Sequence, residues 1–137
     1  LSYFNDSIAH HVGAVMVGHP IVNGVLDSHG KQASVSPEVI NHLRASFSGI
    51  IITDSIGMLG IRLSYLFNGG KLYVDAVRAG NDVILDTGRL FSSPRGVSRG
   101  IGALKQAVQR GEITQQQIDA SVQRILTAKG YTVVHHP

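Results

Sequence analysis

Ile50-Ile51-Ile52-Thr53-Asp54-Ser55 is the stretch whose reading decides the fold. Three isoleucines in succession, with no polar residue alternating among them, suit a strand covered on both faces, as in a parallel sheet. Asp54 then follows at the C-terminal end of that strand. Two other runs have the same character: Ala14-Val15-Met16-Val17 before it and Val83-Ile84-Leu85 after it. They recur at intervals of roughly 35 residues with a helical pattern between each pair, which is the spacing of βα units. The repeat is architectural; no sequence repeat accompanies it.

Working outward, the helices carry their own punctuation. Ser36-Pro37-Glu38 sets a cap, a proline at the first helical position and an early acid ahead of Val39, Ile40 and Leu43. A second helix is expected over residues 71–79, with Gly80 as its left-handed stop. A third presents Ile101, Leu104 and Val108 on one face and ends near Gly111. Thr114-Gln115-Gln116-Gln117 reads as a capping box, opening a helix that turns Ile118, Val122, Ile125 and Leu126 inward and closes at Gly130. Residues 18–35, 57–70 and 87–94 are loops after strand ends, the side of an α/β fold that carries chemistry.

If the three strands are parallel neighbours ~4.8 Å apart, their ends deliver His19, Asp54 and Asp86 to the same side. Two carboxylates flanking a cleft are the minimal equipment of a glycosidase, and a histidine beside a carboxylate can move a proton or bind a metal. Each residue also has a plainer reading. His19 is equally an ordinary loop histidine before Pro20, Asp86 a turn residue ahead of Thr87-Gly88, and Asp54 a helix cap after a strand. Spacing by itself leaves these alternatives open.

Composition narrows the field. The chain has 137 residues, enough for one domain, with 43% apolar and 15% charged residues. No apolar run approaches the ~20 residues of a membrane span, so no membrane partner is expected. Twelve basic residues against nine acidic ones give a formal charge of +3, but they are scattered, and no nucleic-acid face is expected. There are no cysteines, which removes disulfides, thiolate zinc sites and a cysteine nucleophile. The seven histidines, including His10-His11 and His135-His136, lack the spacing of a metal site. Asp27-Ser28-His29 holds an acid, a hydroxyl and an imidazole, but adjacent loop residues do not form a triad. Asn5-Asp6-Ser7 matches a glycosylation acceptor, a tripeptide common by chance. The first residue is Leu1 rather than Met, which suggests a processed or truncated product.

Several segments, in order, resemble glycoside hydrolase family 3, and in particular its β-N-acetylhexosaminidase-like branch. They are Gly13-Ala14-Val15-Met16-Val17-Gly18-His19, Ala33-Ser34-Val35-Ser36-Pro37-Glu38-Val39-Ile40, and Phe47-Ser48-Gly49 continuing through Asp54-Ser55-Ile56-Gly57-Met58. Ala76-Val77-Arg78-Ala79-Gly80-Asn81-Asp82-Val83-Ile84-Leu85 and the helix from Ile118 to Leu126 are also similar, so the likeness runs over residues 13–129. The resemblance implies an α/β fold: the C-terminal portion, about three βα units, of a TIM-type β/α barrel that is incomplete here. Residues 1–137 form a single partial catalytic barrel domain on this reading.

The same resemblance implies a retaining glycoside hydrolase acting on β-linked N-acetylglucosaminides or related β-glycosides, without metal or organic cofactor. Asp54 matches the nucleophile, while His19 and Met58 match substrate-binding positions. Asp27 and the helix start at Ser36-Pro37 belong to the framework, Asn81-Asp82 is structural, and Asp86 matches no catalytic position. Two departures stand out. The turn from Arg44 to Gly49 is shorter than the family pattern. The Lys-His-Phe-Pro-Gly-His-Gly loop that supplies the general acid/base in this branch is absent from this sequence, as are the upstream sugar-binding Arg and Asp residues. The alternative is a catalytically inactive fragment or decayed homologue serving as a binding, antigenic or assembly module. Its partner would be the missing N-terminal half of the barrel or a second copy of itself.

Overall fold

The computed structural model describes the backbone of residues 2–5 and the whole of residues 6–87 and 92–134. Gly88, the His135-His136 pair, Leu1 and the Asn5 side chain lie outside the described residues. Helix α1 (Ser2–Ala9) leads into strand β1 (Ala14–Val17), followed by a 3-10 turn (Ala33–Val35) and α2 (Pro37–Arg44). Strand β2 (Ile50–Thr53) precedes the short α3 (Leu59–Ser64) and then α4 (Gly69–Ala79). The chain closes with α5 (Pro94–Gln109) and α6 (Gln115–Ala128).

β1 and β2 pair in parallel, with Ala14 opposite Ile50 and Val17 opposite Thr53. The third apolar run joins the same sheet less completely. Ile52 and Val83 form one parallel bridge, Val83 N–H donates to Ile51 O at 3.2 Å, and Thr53 N–H donates to Val83 O at 3.1 Å. One step on, Leu85 N–H donates to the Thr53 hydroxyl at 3.0 Å, so a side chain stands in for a ladder carbonyl. This is the α/β arrangement of successive staves in a TIM-type barrel.

The strands are not covered on both faces as the apolar runs suggested. Ile51 and Thr53 are buried, and with Val15 and Val17 they face the helix layer; Ile40, Phe47, Ala79 and Leu43 complete that core. Ala14 and Met16 on the opposite face are exposed, Met16 by 53%. A barrel fills that inner face with side chains from other strands, and two paired strands and a bridge cannot close such a layer. Helix faces depart in the same way. Ile101 and Val122 are 47% and 46% exposed, and α6 buries no residue fully.

Punctuation is largely as read, with chemistry redirected at two caps. Gly80 terminates α4 at φ 110°, a conformation that costs glycine little. Thr114 caps α6 by accepting from Gln117 N–H at 3.1 Å. The Gln117 side chain does not complete a reciprocal box; it donates to Val77 O at 2.7 Å and ties α6 to α4. The Ser36 hydroxyl donates to Glu38 Oε2 at 2.8 Å instead of capping α2. Glu38 is held below the usual carboxylate range by its own backbone hydrogen bond first and by Ser36 second.

Asp82 fastens the N-terminal ends of the strands to two helices. Its side chain is fully buried, and Oδ2 takes Arg44 Nη2 at 2.6 Å and Ile51 N–H at 2.9 Å. Oδ1 takes Arg124 Nη1 at 2.7 Å and the Ser121 hydroxyl at 2.8 Å. Arg44 also donates through Nη1 to Phe47 O at 3.2 Å and Gly49 O at 2.6 Å. It thereby clasps the turn into β2, where a Cβ on Gly49 would stand 2.7 Å from Gly13 O. The charge of Asp82 is thus balanced by two guanidinium groups, which themselves keep some solvent. Asp82→Asn leaves both without their counter-ion and is expected to cost about 3 kcal/mol, measured by urea unfolding. Asp54→Asn is the control, with an expected change within about 0.5 kcal/mol.

Candidate functional site

The end of β2 points Asp54 out of the sheet. Its N–H still belongs to the ladder, donating to Val17 O at 2.8 Å. Its side chain is half-buried, and Oδ1 accepts from Ser55 N–H at 2.6 Å. Among the described residues no cation pairs with this carboxylate. That sets it apart from the other acids the strands carry.

Asp86 is the contrast. Arg62 Nη2 reaches both of its oxygens, at 3.2 and 3.3 Å, and the Tyr73 hydroxyl donates to Oδ2 at 2.6 Å. The Ser92 hydroxyl donates to Oδ1. Arg62 and Asp86 side chains are only 9% and 5% exposed, and Arg62 Nε also donates to Ile56 O at 2.7 Å. This buried pair binds α3 and α4 to the loops beyond β2 and residue 85. It leaves Asp86 no free oxygen for a cleft, so the strand ends do not present two available carboxylates.

Around Asp54 the loops are drawn together closely. Ser55 Oγ donates to Thr87 O and accepts from Thr87 Oγ1 at 3.0 Å. Two residues on, Gly57 lies so near the same segment that a Cβ would meet Thr87 O at 2.1 Å and Ser92 Oγ at 2.6 Å. Only a residue without a side chain fits there. Met58, 50% exposed, opens α3 and donates its N–H to Ser55 O at 3.1 Å.

His19 comes to the same place from β1. Its Nε2 lies 3.0 Å from Ser55 O and its Nδ1 2.6 Å from Ser34 Oγ. The structure therefore brings His19, Asp54 and Met58 together around Ser55, and separates Asp86 from them by function rather than by distance along the sheet. Ser34 and Ser55 were not singled out from the sequence; serines beside a turn and a strand end carry no pattern that marks them.

The remaining candidates have local roles. Asp27 Oδ1 accepts from His29 N–H at 2.7 Å, and the Ser28 hydroxyl is bonded to the backbone of Val22. Among the described residues no group of three His, Cys, Asp or Glu side chains is placed to hold a metal ion. No described helix is long and apolar enough to cross a membrane.

A parallel β/α framework with helices packed on one side of the strands defines the class of a barrel-type protein, a fold whose sites lie at the strands' C-terminal face. The family model for the glycosyl hydrolase family 3 N terminal domain matches residues 1–128, and the chain belongs to that family. It is 27% identical over 143 residues to a β-N-acetylglucosaminidase/β-glucosidase of Cellulomonas fimi, covering 96% of this chain and 24% of that protein. With the β-hexosaminidase LpqI of Mycobacterium tuberculosis it shares 32% identity over 124 residues, covering 85% of this chain and 30% of the relative. The chain thus spans under a third of the length of these relatives.

Solved structures agree. A family 3 glycosyl hydrolase of Mycobacterium smegmatis superposes with a TM-score of 0.79 at 31% identity, covering 93% of this chain and 38% of its own. A family 3 β-N-acetylglucosaminidase of Paenibacillus gives a TM-score of 0.75 at 28% identity, covering 98% and 26%.

The Tyr73 phenol is pushed well above its ordinary value by burial first and by its hydrogen bond to Asp86 second. A raised phenol stabilises the fold fully below its unfolded pKa of about 10, and that contribution is lost as pH rises through the folded value. Tyr73→Phe is expected to cost about 1.5–3 kcal/mol at pH 7. The gap to wild type should narrow in urea titrations only above about pH 10.

Proposed function

We propose that this chain carries the nucleophile-bearing part of a retaining glycoside hydrolase acting on β-linked N-acetylglucosaminides or related β-glycosides. The observation that carries the reading is the contrast between acids. Asp82 and Asp86 are buried against arginines, whereas Asp54 stands half-buried at a strand end with no cation paired to it among the described residues. Family membership and the names of the relatives support the same assignment.

In this reading Asp54 attacks the anomeric carbon and the glycosidic bond breaks, with a proton delivered to the departing oxygen. Water then opens the glycosyl ester and the configuration is retained. The carboxylate needs no metal for this and attacks in its ionised form. Met58 and the carbon edge of His19 would line the sugar. The general acid/base would come from a residue outside these 137, in line with the absence of a Lys-His-Phe-Pro-Gly-His-Gly-like segment.

A second reading is favoured by the open inner face of the sheet, where Met16 is 53% exposed, together with exposed Leu59, Leu63 and Phe67 near the mouth. On it, the chain is an assembly module whose apolar face is covered by the rest of a barrel or by a second copy. Sedimentation of the isolated chain separates the cases; a well-behaved monomer counts against the need for a partner.

For the nucleophile, hydrolysis of an aryl β-N-acetylglucosaminide by the intact protein is the test. Asp54→Ala is expected to lose at least ~1,000-fold in rate, and a 5-fluoro glycosyl fluoride should label the peptide containing Asp54. Equal rates for wild type and Asp54→Ala would sink the assignment.

A further inference from the structure

We infer that Ser34 is a positioning residue for Asp54, acting through the His19 ring; the inference rests on the nucleophile reading of Asp54. The Ser55 carbonyl oxygen can only accept a hydrogen bond, so the 3.0 Å approach of His19 Nε2 requires a proton on that nitrogen. In the neutral ring the lone pair is then on Nδ1, 2.6 Å from Ser34 Oγ, and the serine hydroxyl is the donor. Both ring nitrogens are spent inside the protein, which leaves neither for a sugar hydroxyl.

Ser34 is suited to this because nothing about it is free to move. It is fully buried. Its N–H donates to Gly18 O at 3.1 Å, at the end of β1. Its carbonyl accepts from Asn81 Nδ2 at 2.8 Å, and Asn81 Nδ2 donates in turn to Ala76 O of α4 at 2.7 Å. A chain of hydrogen bonds therefore runs from the body of α4 through Asn81, Ser34 and His19 to the peptide that follows Asp54. At its end the Ser55 carbonyl is held by the imidazole and by Met58 N–H, while Ser55 N–H holds Asp54 Oδ1 at 2.6 Å. The residue that orients the carboxylate is thus fixed from both sides. Attack at a sugar carbon tolerates little misplacement of the nucleophile, so loosening this clamp lowers the rate of the chemical step more than binding.

The test has two arms. In the first, long-range 15N–1H correlation spectra of the 137-residue chain read the protonation of each His19 nitrogen. The expected result is a pyridine-like Nδ1 and a pyrrole-like Nε2 whose proton exchanges slowly with water. In Ser34→Ala that proton should exchange rapidly and the Asp54 and Ser55 amide shifts should move; Ser34→Thr, which keeps the hydroxyl, should retain the wild-type pattern. In the second arm, Ser34→Ala in the intact protein should lower kcat ~10-fold with KM changed less than about twofold, and Ser34→Thr should recover most of the loss. A wild-type ring protonated on Nδ1 overturns the inference whether or not the alanine variant folds, as does an unchanged kcat in a folded Ser34→Ala protein. An active Asp54→Ala protein takes down the nucleophile reading and this inference together. The wrong tautomer alongside an inactive Asp54→Ala takes down this inference alone.

Discussion

The carboxylate of Asp82 is where four parts of the chain are required to meet. It takes a guanidinium from α2, another from α6, a hydroxyl from α6 and the Ile51 amide of β2. A buried carboxylate is expensive unless its oxygens are filled, and here each oxygen has two donors. Meeting that demand fixes α2 beside the strand it precedes and draws α6 under the N-terminal ends of the sheet. The Arg44 side chain then closes the short turn into β2. Strand register, helix placement and turn geometry are therefore consequences of one charge that has to be compensated.

At the other end of the same strands the arrangement is reversed. Asp86 is neutralised by Arg62 and crowded by hydroxyls, while Asp54, one strand away, has no cation partner among the described residues. The buried pair anchors α3, and Gly57 lets the loop after β2 lie directly on Thr87. The acids buried against arginines thus sit at the strand starts and flank, while Asp54 sits at the mouth. This separation of a stability face from a reactive face is characteristic of β/α barrels.

Much of this was legible because it depends on local pattern. Ile50-Ile51-Ile52 announces a buried strand, Gly80 a helix stop and Thr114 a cap, each from neighbours in sequence. The structural role of Asp82 could be read from its place at a strand start. Its partners could not, since Arg44 and Arg124 lie 38 and 42 residues away. Ser34 was invisible for the same reason: its meaning is a contact with His19 across a loop. The inward orientation of Val122 and the two-sided burial of β1 were misjudged. Periodicity identifies which face is apolar, but burial also needs something to lie against it, and the described residues provide no such layer over Met16 or Val122.

The hydroxyl of Thr53 has a consequence in time as well as in space. Between β1 and β2 the ladder is built from backbone groups alone, over four residue pairs. Between β2 and residues 83–85 it narrows to one bridge and then to a side-chain oxygen, before Ile56 N–H returns to Leu85 O at 2.8 Å. A rotatable hydroxyl is a weaker clasp than a peptide carbonyl, and it releases without any change in φ or ψ. The Thr53–Leu85 clasp is therefore the part of the sheet expected to open first, a local event that leaves the β1–β2 ladder intact. Thr87, which borders Asp54 through Ser55, follows directly on that seam, so one threonine hydroxyl links the edge of the sheet to the rim of the site.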